Sequence, residues 1–284
     1  GCVEKDSVLI GVDSSPEILV STPIHPLCYG DMTGQVSVSA INGNPDYEFA
    51  YNGFNYDIIQ VFTGLADGTH IFTVRDSLGC IDTTIVEIIQ PDPVLADSML
   101  VTPTNCNGDS NGEITAFISG GTVVNAYSYQ WYNPNGGPAY PANLSGITQT
   151  LTDLSAGIYT LSVSDDNGCS FTTTAEVTEP LALSSTSFVT SSYNNQDISC
   201  FGICDASAQV APLGGVAPYT FQWSSGSQTD VDQELCAGTY TIEVTDFNSC
   251  VHTATVEITQ PSEVSVTIPN VTHIKCAEAS TGVA

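Results

Sequence analysis

The amino-acid sequence predicts an all-β protein of tandem immunoglobulin-like β-sandwich repeats, tied by disulfides and arranged as an extended rod. A thirteen-residue block occurs three times, as Gly68–Cys80, Gly157–Cys169 and Gly238–Cys250, and a proline follows each copy eleven residues after its cysteine. A block that recurs in this way indicates repeated modules. Short alternating segments and turns containing Gly or Pro fill the rest of the chain, with no helical pattern of useful length. This combination is typical of β-sandwiches.

The repeated block predicts a β-hairpin. In its third copy the apolar residues Tyr240, Ile242 and Val244 alternate with polar residues, which is the period of a half-buried strand. Asp246–Ser249 then supplies the Asp and Asn residues that favour a tight turn. Apolar alternation resumes after Cys250 and predicts the second strand.

Two cysteines mark each repeat: the early cysteine at its start, and the late cysteine that ends the thirteen-residue block. A Gly/Asp/Ser turn and an alternating strand follow the early cysteine, and a bend then leads to a strand rich in aromatic residues. One large ring at the same place in each of these strands is expected to fill the core: Tyr51, Trp131 and Trp223. The early cysteines are Cys28, Cys106, Cys200 and Cys276, and the late cysteines are Cys2, Cys80, Cys169 and Cys250.

These marks predict three complete repeats, at residues 28–105, 106–199 and 200–275. Residues 1–27 resemble the end of a preceding repeat, and residues 276–284 resemble the start of a following one. We therefore expect the sequence to be part of a longer protein.

Composition indicates an extracellular protein and excludes some partners. The chain has 31 acidic residues but only three Lys or Arg, so its net charge is −28. Nucleic acids and anionic lipids need basic residues to neutralise their phosphates, and we expect neither as a partner. No apolar run is long enough to span a membrane. Ten cysteines in a strand-rich chain indicate disulfides and an oxidising compartment.

The repeat pattern resembles the SprB repeat family. The pattern consists of C-x-G-x-x-x-G, GG-x-x-PY-x-x-x-W, L-x-x-G-x-Y-T-x-x-V-x-D-x-x-G-C and I-x-QP, and it covers residues 28–276. The first repeat departs from it, with Asp46 in place of Pro and His70 in place of Tyr, and the second lacks the Pro before Tyr127. These substitutions fall in turns and in the core, where they leave the predicted fold unchanged.

The resemblance implies a giant cell-surface adhesin of gliding Bacteroidetes. Such a protein would be secreted by the type IX system, attached to the outer membrane and moved along the cell surface by the gliding machinery. Its partners would be the neighbouring repeats of the same chain, that machinery and surface glycans. Bacteroidetes are similar to one another in O-glycosylating Asp-Ser/Thr triplets, which makes four hydroxyl residues candidate modification sites: Ser7, Ser77, Thr83 and Ser98.

The cysteine spacing allows two pairing schemes. Cys204 and Cys236, present only in the third repeat, most simply bond to each other, which places Cys200 at the same end of the sandwich as Cys236. Cys250 then lies a whole strand away, about 25 Å, whereas a disulfide needs Cα atoms within about 7 Å. This geometry disfavours pairing within each repeat: Cys28–Cys80, Cys106–Cys169 and Cys200–Cys250. The favoured alternative joins each late cysteine to the next early one: Cys2–Cys28, Cys80–Cys106, Cys169–Cys200 and Cys250–Cys276.

The sequence predicts no enzyme and no resident cofactor. The four histidines fall at unrelated repeat positions, and no catalytic motif is present. Acidic turns recur near the cysteines, and if neighbouring repeats brought them together their oxygens could hold Ca²⁺. The alternative is that each carboxylate accepts hydrogen bonds from its own turn. The candidate calcium ligands are Asp76, Asp109, Asp165 and Asp205.

Two functions of different kinds remain open at this stage. The first is a structural stalk that spaces a distal binding tip of the adhesin from the cell. The second is a carbohydrate- or surface-polymer-binding module, with Tyr132 and Tyr140 as a candidate platform for stacking on sugar.

Overall fold

The computed structural model describes residues 13–138, 144–146 and 148–269, and within them it contains nineteen β-strands and no α-helix. The chain divides into two compact units. The first comprises the chain up to Thr102 together with Glu113–Thr152 and Gly157–Val177, and it holds the first sandwich and most of the second. The second unit comprises Pro103–Gly112, Asp153–Ala156 and the chain from Thr178 on.

The first sandwich contains six strands in two three-stranded antiparallel sheets. One sheet has the order β1-β2-β4 and the other β3-β5-β6. In the lettering of immunoglobulin domains these are sheets A-B-E and C-F-G. The strands are β1 (Glu17–Val20), β2 (Gly34–Ile41), β3 (Glu48–Tyr51), β4 (Val61–Leu65), β5 (Gly68–Arg75) and β6 (Ile81–Ile88).

The second sandwich repeats this topology and adds a short strand, β10, beside strand C. Its sheets have the orders β11-β8-β7 and β10-β9-β12-β13. The strands are β7 (Leu95–Thr102), β8 (Gly112–Ser119), β9 (Tyr127–Tyr132), β10 (Leu144–Gly146), β11 (Thr148–Leu154), β12 (Gly157–Ser164) and β13 (Ser170–Val177).

The third sandwich has the six-strand arrangement of the first. Its sheets have the orders β14-β15-β17 and β16-β18-β19. The strands are β14 (Ser184–Val189), β15 (Ala206–Leu213), β16 (Thr220–Trp223), β17 (Val231–Leu235), β18 (Gly238–Thr245) and β19 (Val251–Ile258).

The predicted hairpin and core are present. β18 pairs with β19 from Gly238 opposite Ile258 to Thr245 opposite Val251. The inward-facing residues of β18 pack with Trp223 in the core of the third sandwich. Trp131 and Trp223 are both 1% exposed, whereas Tyr51 is half-buried and packs against the edge of the first core. The all-β, immunoglobulin-like fold predicted from the sequence is confirmed.

A side chain near the start of strand F fastens the preceding turn in two repeats. In the third, the Tyr240 hydroxyl donates to the carbonyl of Cys236 at 3.2 Å. This is the tyrosine corner of immunoglobulin-like domains. In the first repeat His70 takes that place, and its Nε2 donates to the carbonyl of Ala66 at 2.8 Å. Nδ1 of His70 therefore accepts from the Tyr51 hydroxyl at 2.7 Å, so the substitution keeps the corner and ties it to the core.

The sandwiches begin before the residues predicted as repeat starts. β1, β7 and β14 each precede an early cysteine, yet each pairs with the first strand after it. Boundaries at 27/28, 105/106 and 199/200 would therefore separate strand A from its sheet. The sequence misplaces them because the repeated pattern starts at the cysteine, whereas strand A starts a few residues after the proline of the preceding repeat. Within the described residues no helix of a length and apolarity able to cross a membrane occurs.

Candidate functional site: the inter-repeat disulfides

Two disulfides join neighbouring repeats, and both follow one rule. Cys28 bonds to Cys169 with a Cα–Cα distance of 5.5 Å, and Cys106 bonds to Cys250 with a distance of 5.8 Å. In each pair the early cysteine of one repeat meets the late cysteine of the next. The first pair lies within the first compact unit and the second pair within the second unit.

The structure corrects the favoured pairing scheme. Cys28 and Cys169 are bonded to each other, so neither Cys2–Cys28 nor Cys169–Cys200 forms. The bond from Cys106 to Cys250 likewise replaces Cys80–Cys106 and Cys250–Cys276. Cys2 and Cys276 themselves lie outside the described residues. The alternative scheme within each repeat does not form either, because Cys80 and Cys200 are free thiols and Cys106 and Cys169 are bonded to other cysteines.

Cys204–Cys236 is present as the sequence predicted. It ties the residues flanking strands B and E, next to the Ala206–Leu235 pair of the sheet.

The direction of the chain through each sandwich explains the correct pairs. The early cysteine and the chain exit share one end: in the third repeat Gly202, beside Cys200, donates to the side chain of Gln260 at 3.0 Å. The late cysteine lies at the other end, beyond the Thr245–Val251 pair of the hairpin. The chain enters a repeat at that late-cysteine end, so the exit end of one repeat faces the late cysteine of the next. The favoured scheme assumed that the chain reverses at the proline, which it does not.

On the early-cysteine side, a backbone N–H holds the proline link between repeats. Gly30 donates to Oε1 of Gln90 at 2.5 Å, and Gly108 donates to Oε2 of Glu179 at 2.7 Å. Both acceptors immediately precede the proline of the link. The turn that carries the early cysteine is therefore fixed against the chain exit of its own repeat.

On the late-cysteine side, an asparagine two residues before the cysteine bridges to the preceding repeat. Asn167 Nδ2 donates to the Leu27 carbonyl at 3.2 Å, and Asn248 Nδ2 donates to the Asn105 carbonyl at 2.7 Å. Each carbonyl belongs to the residue before the early cysteine. The disulfide and this hydrogen bond form the same two-point contact in both junctions.

A buried aspartate organises the turn that presents each late cysteine. Asp165 is 5% exposed, and its Oδ1 accepts from the N–H groups of Asn167 at 3.0 Å and Cys169 at 2.9 Å. Its Oδ2 accepts from the N–H of Thr122 at 2.8 Å, in the bend after strand B. One carboxylate thus joins two loops. Asp76 and Asp246 make the equivalent contacts in the other repeats.

A glycine in the bend lets the carboxylate approach. Gly215 has φ +61°, and a Cβ there would lie 2.7 Å from Oδ2 of Asp246. Gly121 has φ +65°, and a Cβ there would lie 2.6 Å from Oδ2 of Asp165. The second glycine of the Gly-Gly pair is required both for its left-handed backbone and for the absence of a side chain.

Two carboxylates at late-cysteine ends have lowered pKa values. Burial alone would raise the pKa of Asp76, but the hydrogen bonds from backbone N–H groups outweigh it and lower the pKa below its ordinary value of 3.8. Hydrogen bonds from the N–H groups of Asn125 and Val124 lower the pKa of Asp166. Because each carboxylate binds its proton less readily when folded, each stabilises the fold above the unfolded pKa near 4. That stabilisation is lost as the pH falls through the lower folded value.

We expect Asp76→Asn to lower the melting temperature at pH 7. We also expect the melting temperature of the variant to fall less steeply than that of the wild type between about pH 5 and pH 2. The side-chain amide of the variant has no carboxyl proton, so the variant lacks the stabilisation that ionisation of Asp76 gives to the folded state. Calorimetry of the intact chain across this pH range measures both effects. Wild-type and variant profiles that run parallel at every pH would contradict the assignment.

The four candidate calcium ligands lie in turns and are bound by the chain itself. Asp76 and Asp165 accept the backbone hydrogen bonds described above. Asp109 accepts from the N–H of Cys106 at 3.2 Å, and Asp205 accepts from the N–H of Ser199 at 3.1 Å. No group of three or more His, Cys, Asp or Glu suited to a metal occurs in the part of the chain that the structure describes. Calcium binding stays a prediction.

The remaining candidate residues are exposed or lie outside the described residues. Ser77, Thr83 and Ser98 have exposed positions, and Ser7 lies outside the described range. Tyr132, at the end of β9, is 37% exposed. Its proposed companion Tyr140 also lies outside the described residues, so stacking on sugar stays a prediction.

Sequence reasoning missed the asparagine bridge and the loop-joining role of the aspartate. Asp246 was assigned to a turn, but its contact with Val216 joins positions thirty residues apart. The signal that could have revealed it is the joint occurrence of Gly-Gly and Asp in the second and third repeats.

The sheets and junctions define a class: a protein of tandem immunoglobulin-like sandwiches cross-linked from one repeat to the next. Comparison with protein families gives the type of repeat. The sequence profile of the SprB repeat, the family that the sequence pattern predicted, matches residues 100–136 and 192–228. Both matches begin before an early cysteine and end beyond strand C. No curated protein matches the chain.

Several solved structures are similar over most of the chain. The three N-terminal domains of the bacteriophage RB49 highly immunogenic outer capsid protein are 10% identical, with a TM-score of 0.36, covering 88% of this chain and all of theirs. A tetra-tandem repeat from the extending region of a large adhesion protein is 14% identical, with a TM-score of 0.26, covering 87% of this chain and 75% of that one. At these scores the likeness supports no functional conclusion.

Proposed function

We propose that the chain is a structural stalk segment of a very long secreted cell-surface adhesin that acts in gliding motility and surface attachment. The inter-repeat disulfides carry this proposal, because each one ties a repeat covalently to the next where the chain passes between them. Repeats that contact only their neighbours form assemblies whose length grows with repeat number. A stalk needs that property together with resistance to unravelling.

Chemistry and family support an exposed cell-surface location. Disulfides persist in oxidising, extracellular compartments. A net charge of −28 keeps a long surface protein solvated and opposes its self-association. The SprB-repeat matches support attachment to the outer membrane, export by the type IX system and movement by the gliding machinery, since the resemblance implies all three.

Small-angle X-ray scattering of the oxidised chain tests the stalk directly. Three sandwiches in line, each built on eight-residue strands about 26 Å long, would span at least about 78 Å and give a radius of gyration of at least about 25 Å. A compact protein of 284 residues has about 19 Å. We expect the larger value. A radius near the compact value would exclude a stalk, because the repeats would then fold against one another.

A glycan array with the same protein separates the stalk from the binding module. A spacer binds none of the glycans, whereas a binding module binds a defined set. Binding that disappears in Tyr132→Ala would favour the carbohydrate-binding function. Tyr193→Ala, which removes another exposed tyrosine, serves as the matched control.

A further inference from the structure

Two described cysteines occupy junction positions without a bond. Cys80 is the late cysteine of the first repeat and Cys200 the early cysteine of the third, and both are free thiols. In both bonded junctions the early cysteine of one repeat pairs with the late cysteine of the next. By this rule neither Cys80 nor Cys200 has a partner among the described cysteines. Each would need a cysteine from a further repeat.

The end that carries Cys200 is already built as half of a junction. Gly202 donates to Oε1 of Gln260 at 3.0 Å, as Gly30 and Gly108 do at the equivalent positions of the bonded junctions. Cys200 also lines an open cleft of about 460 Å³ between its turn and the link after Pro261. The hydrogen bond between turn and link that occurs in the bonded junctions is therefore already formed at the unbonded Cys200.

An apolar side chain in the link after Pro261 is left uncovered at this end. Three residues after the proline of the first two links stand Val94 and Leu183. Val94 is 8% exposed, and Leu183 packs against the core of the third sandwich. Val264 holds the same position after Pro261 and is 88% exposed. In the two complete links this side chain is covered by the sandwich that follows.

The end that carries Cys80 is the complementary half. Asp76 accepts from the N–H of Cys80 at 2.8 Å, as its counterparts do for the bonded late cysteines. A cleft of about 490 Å³ lies beside this turn. One contact is missing: Leu78, 62% exposed, stands where Asn167 and Asn248 donate across the other junctions.

We propose that Cys200 and Cys80 are covalent attachment points for two further SprB-type repeats. Cys200 bonds to the late cysteine of one, whose link-facing surface covers Val264, and Cys80 bonds to the early cysteine of the other. The disulfide ladder then continues past both ends of this three-repeat array by the rule that builds it internally. This inference stands on the bonded junctions and does not depend on a role in gliding.

Bond formation requires a disulfide oxidant, and the test uses oxidised glutathione. The Cys200 thiolate attacks one glutathione sulfur, forms a mixed disulfide and releases one glutathione thiolate. The incoming cysteine thiolate then attacks the Cys200 sulfur and releases the second glutathione. Two protein thiols lose two protons and two electrons, and one oxidised glutathione is reduced to two glutathione thiols.

A second copy of the chain supplies the complementary half for the test, since it offers Cys80 to Cys200. All proteins carry Cys2→Ser and Cys276→Ser. Cys80→Ser leaves Cys200 as the free thiol, and Cys200→Ser, labelled with ¹⁵N, leaves Cys80. Equal amounts are mixed in a glutathione redox buffer, and the dimers are counted by mass spectrometry. Random pairing gives as many heterodimers as the two kinds of homodimer together. We expect at least ten heterodimers for every homodimer.

A matched thiol shows whether the preference belongs to the junction surfaces. Thr253→Cys in the Cys80→Ser, Cys200→Ser background places an exposed thiol on β19, and its mixture with the Cys200 protein should pair randomly. Leu78→Asn restores the missing donor and should raise the Cys80–Cys200 excess further. A peptide map confirms the native disulfides in each variant. Random pairing of Cys80 with Cys200, with these bonds intact, would overturn the proposal.

Discussion

Stretching single oxidised molecules to full extension should lengthen the span from Cys28 to Cys250 to only about 170 Å, against about 780 Å after reduction. The reduced span contains 222 residues. With the disulfides intact, the shortest covalent route crosses to Cys169, runs 35 residues to Cys204, crosses to Cys236 and runs 14 residues to Cys250. The remaining residues cannot extend, because the bonds bypass them. Single-molecule force spectroscopy with handles at the chain ends measures both lengths.

The interlaced order of the bonds produces this effect. Along the chain the cysteines occur as Cys28, Cys106, Cys169 and Cys250, so the second inter-repeat loop begins inside the first and closes beyond it. Tension passes from Cys28 to Cys250 through three parallel segments, 28–106, 106–169 and 169–250, because each of them connects the same two disulfides. A repeat cross-linked in this way can unfold without greatly lengthening the stalk.

The Cys204→Ser, Cys236→Ser variant provides a quantitative control. Without that bond the shortest oxidised route crosses from Cys28 to Cys169, runs back through 63 residues to Cys106 and crosses to Cys250, so the span should reach about 220 Å. Pairing of each late cysteine with the next early one would instead leave 133 residues, about 465 Å, in the unmodified chain. An oxidised span near that value would show that the junction bonds differ from those described.

Local patterns were sufficient to predict the sandwiches but not the junctions. The Gly238–Cys250 hairpin and the buried Trp223 follow from alternation and ring size within one segment. The Cys204–Cys236 bond follows because only one repeat contains that pair. The partner of Cys28 depends on which end of a sandwich the chain enters. The end at which the chain enters depends in turn on strand A. No local sequence pattern shows that strand A belongs to the next sandwich.

Asp246→Asn should destabilise the third repeat by about 2–3 kcal/mol, since a charged acceptor of partly buried backbone N–H groups is lost. Oδ1 of Asp246 accepts from Cys250 at 2.9 Å, and Oδ2 accepts from Val216 at 2.8 Å. An amide of the same shape can keep one of these contacts but turns an NH₂ group toward the other donor. Denaturant unfolding, followed by hydrogen exchange of the β18–β19 amides, measures the loss in the intact chain. Glu257→Gln removes an equal charge from an exposed site on β19 and should change stability by less than about 0.5 kcal/mol.

A double-mutant cycle with Gly215→Ala shows whether the cost arises from the loop-joining contact. Alanine at this left-handed position must also displace the Asp246 carboxylate, because its Cβ would lie 2.7 Å from Oδ2. Each single substitution therefore removes the same link between the bend and the hairpin turn. The double variant should lose clearly less stability than the two single losses combined. Strict additivity, or an Asp246→Asn variant as stable as Glu257→Gln, would mean that the carboxylate does not hold these loops together.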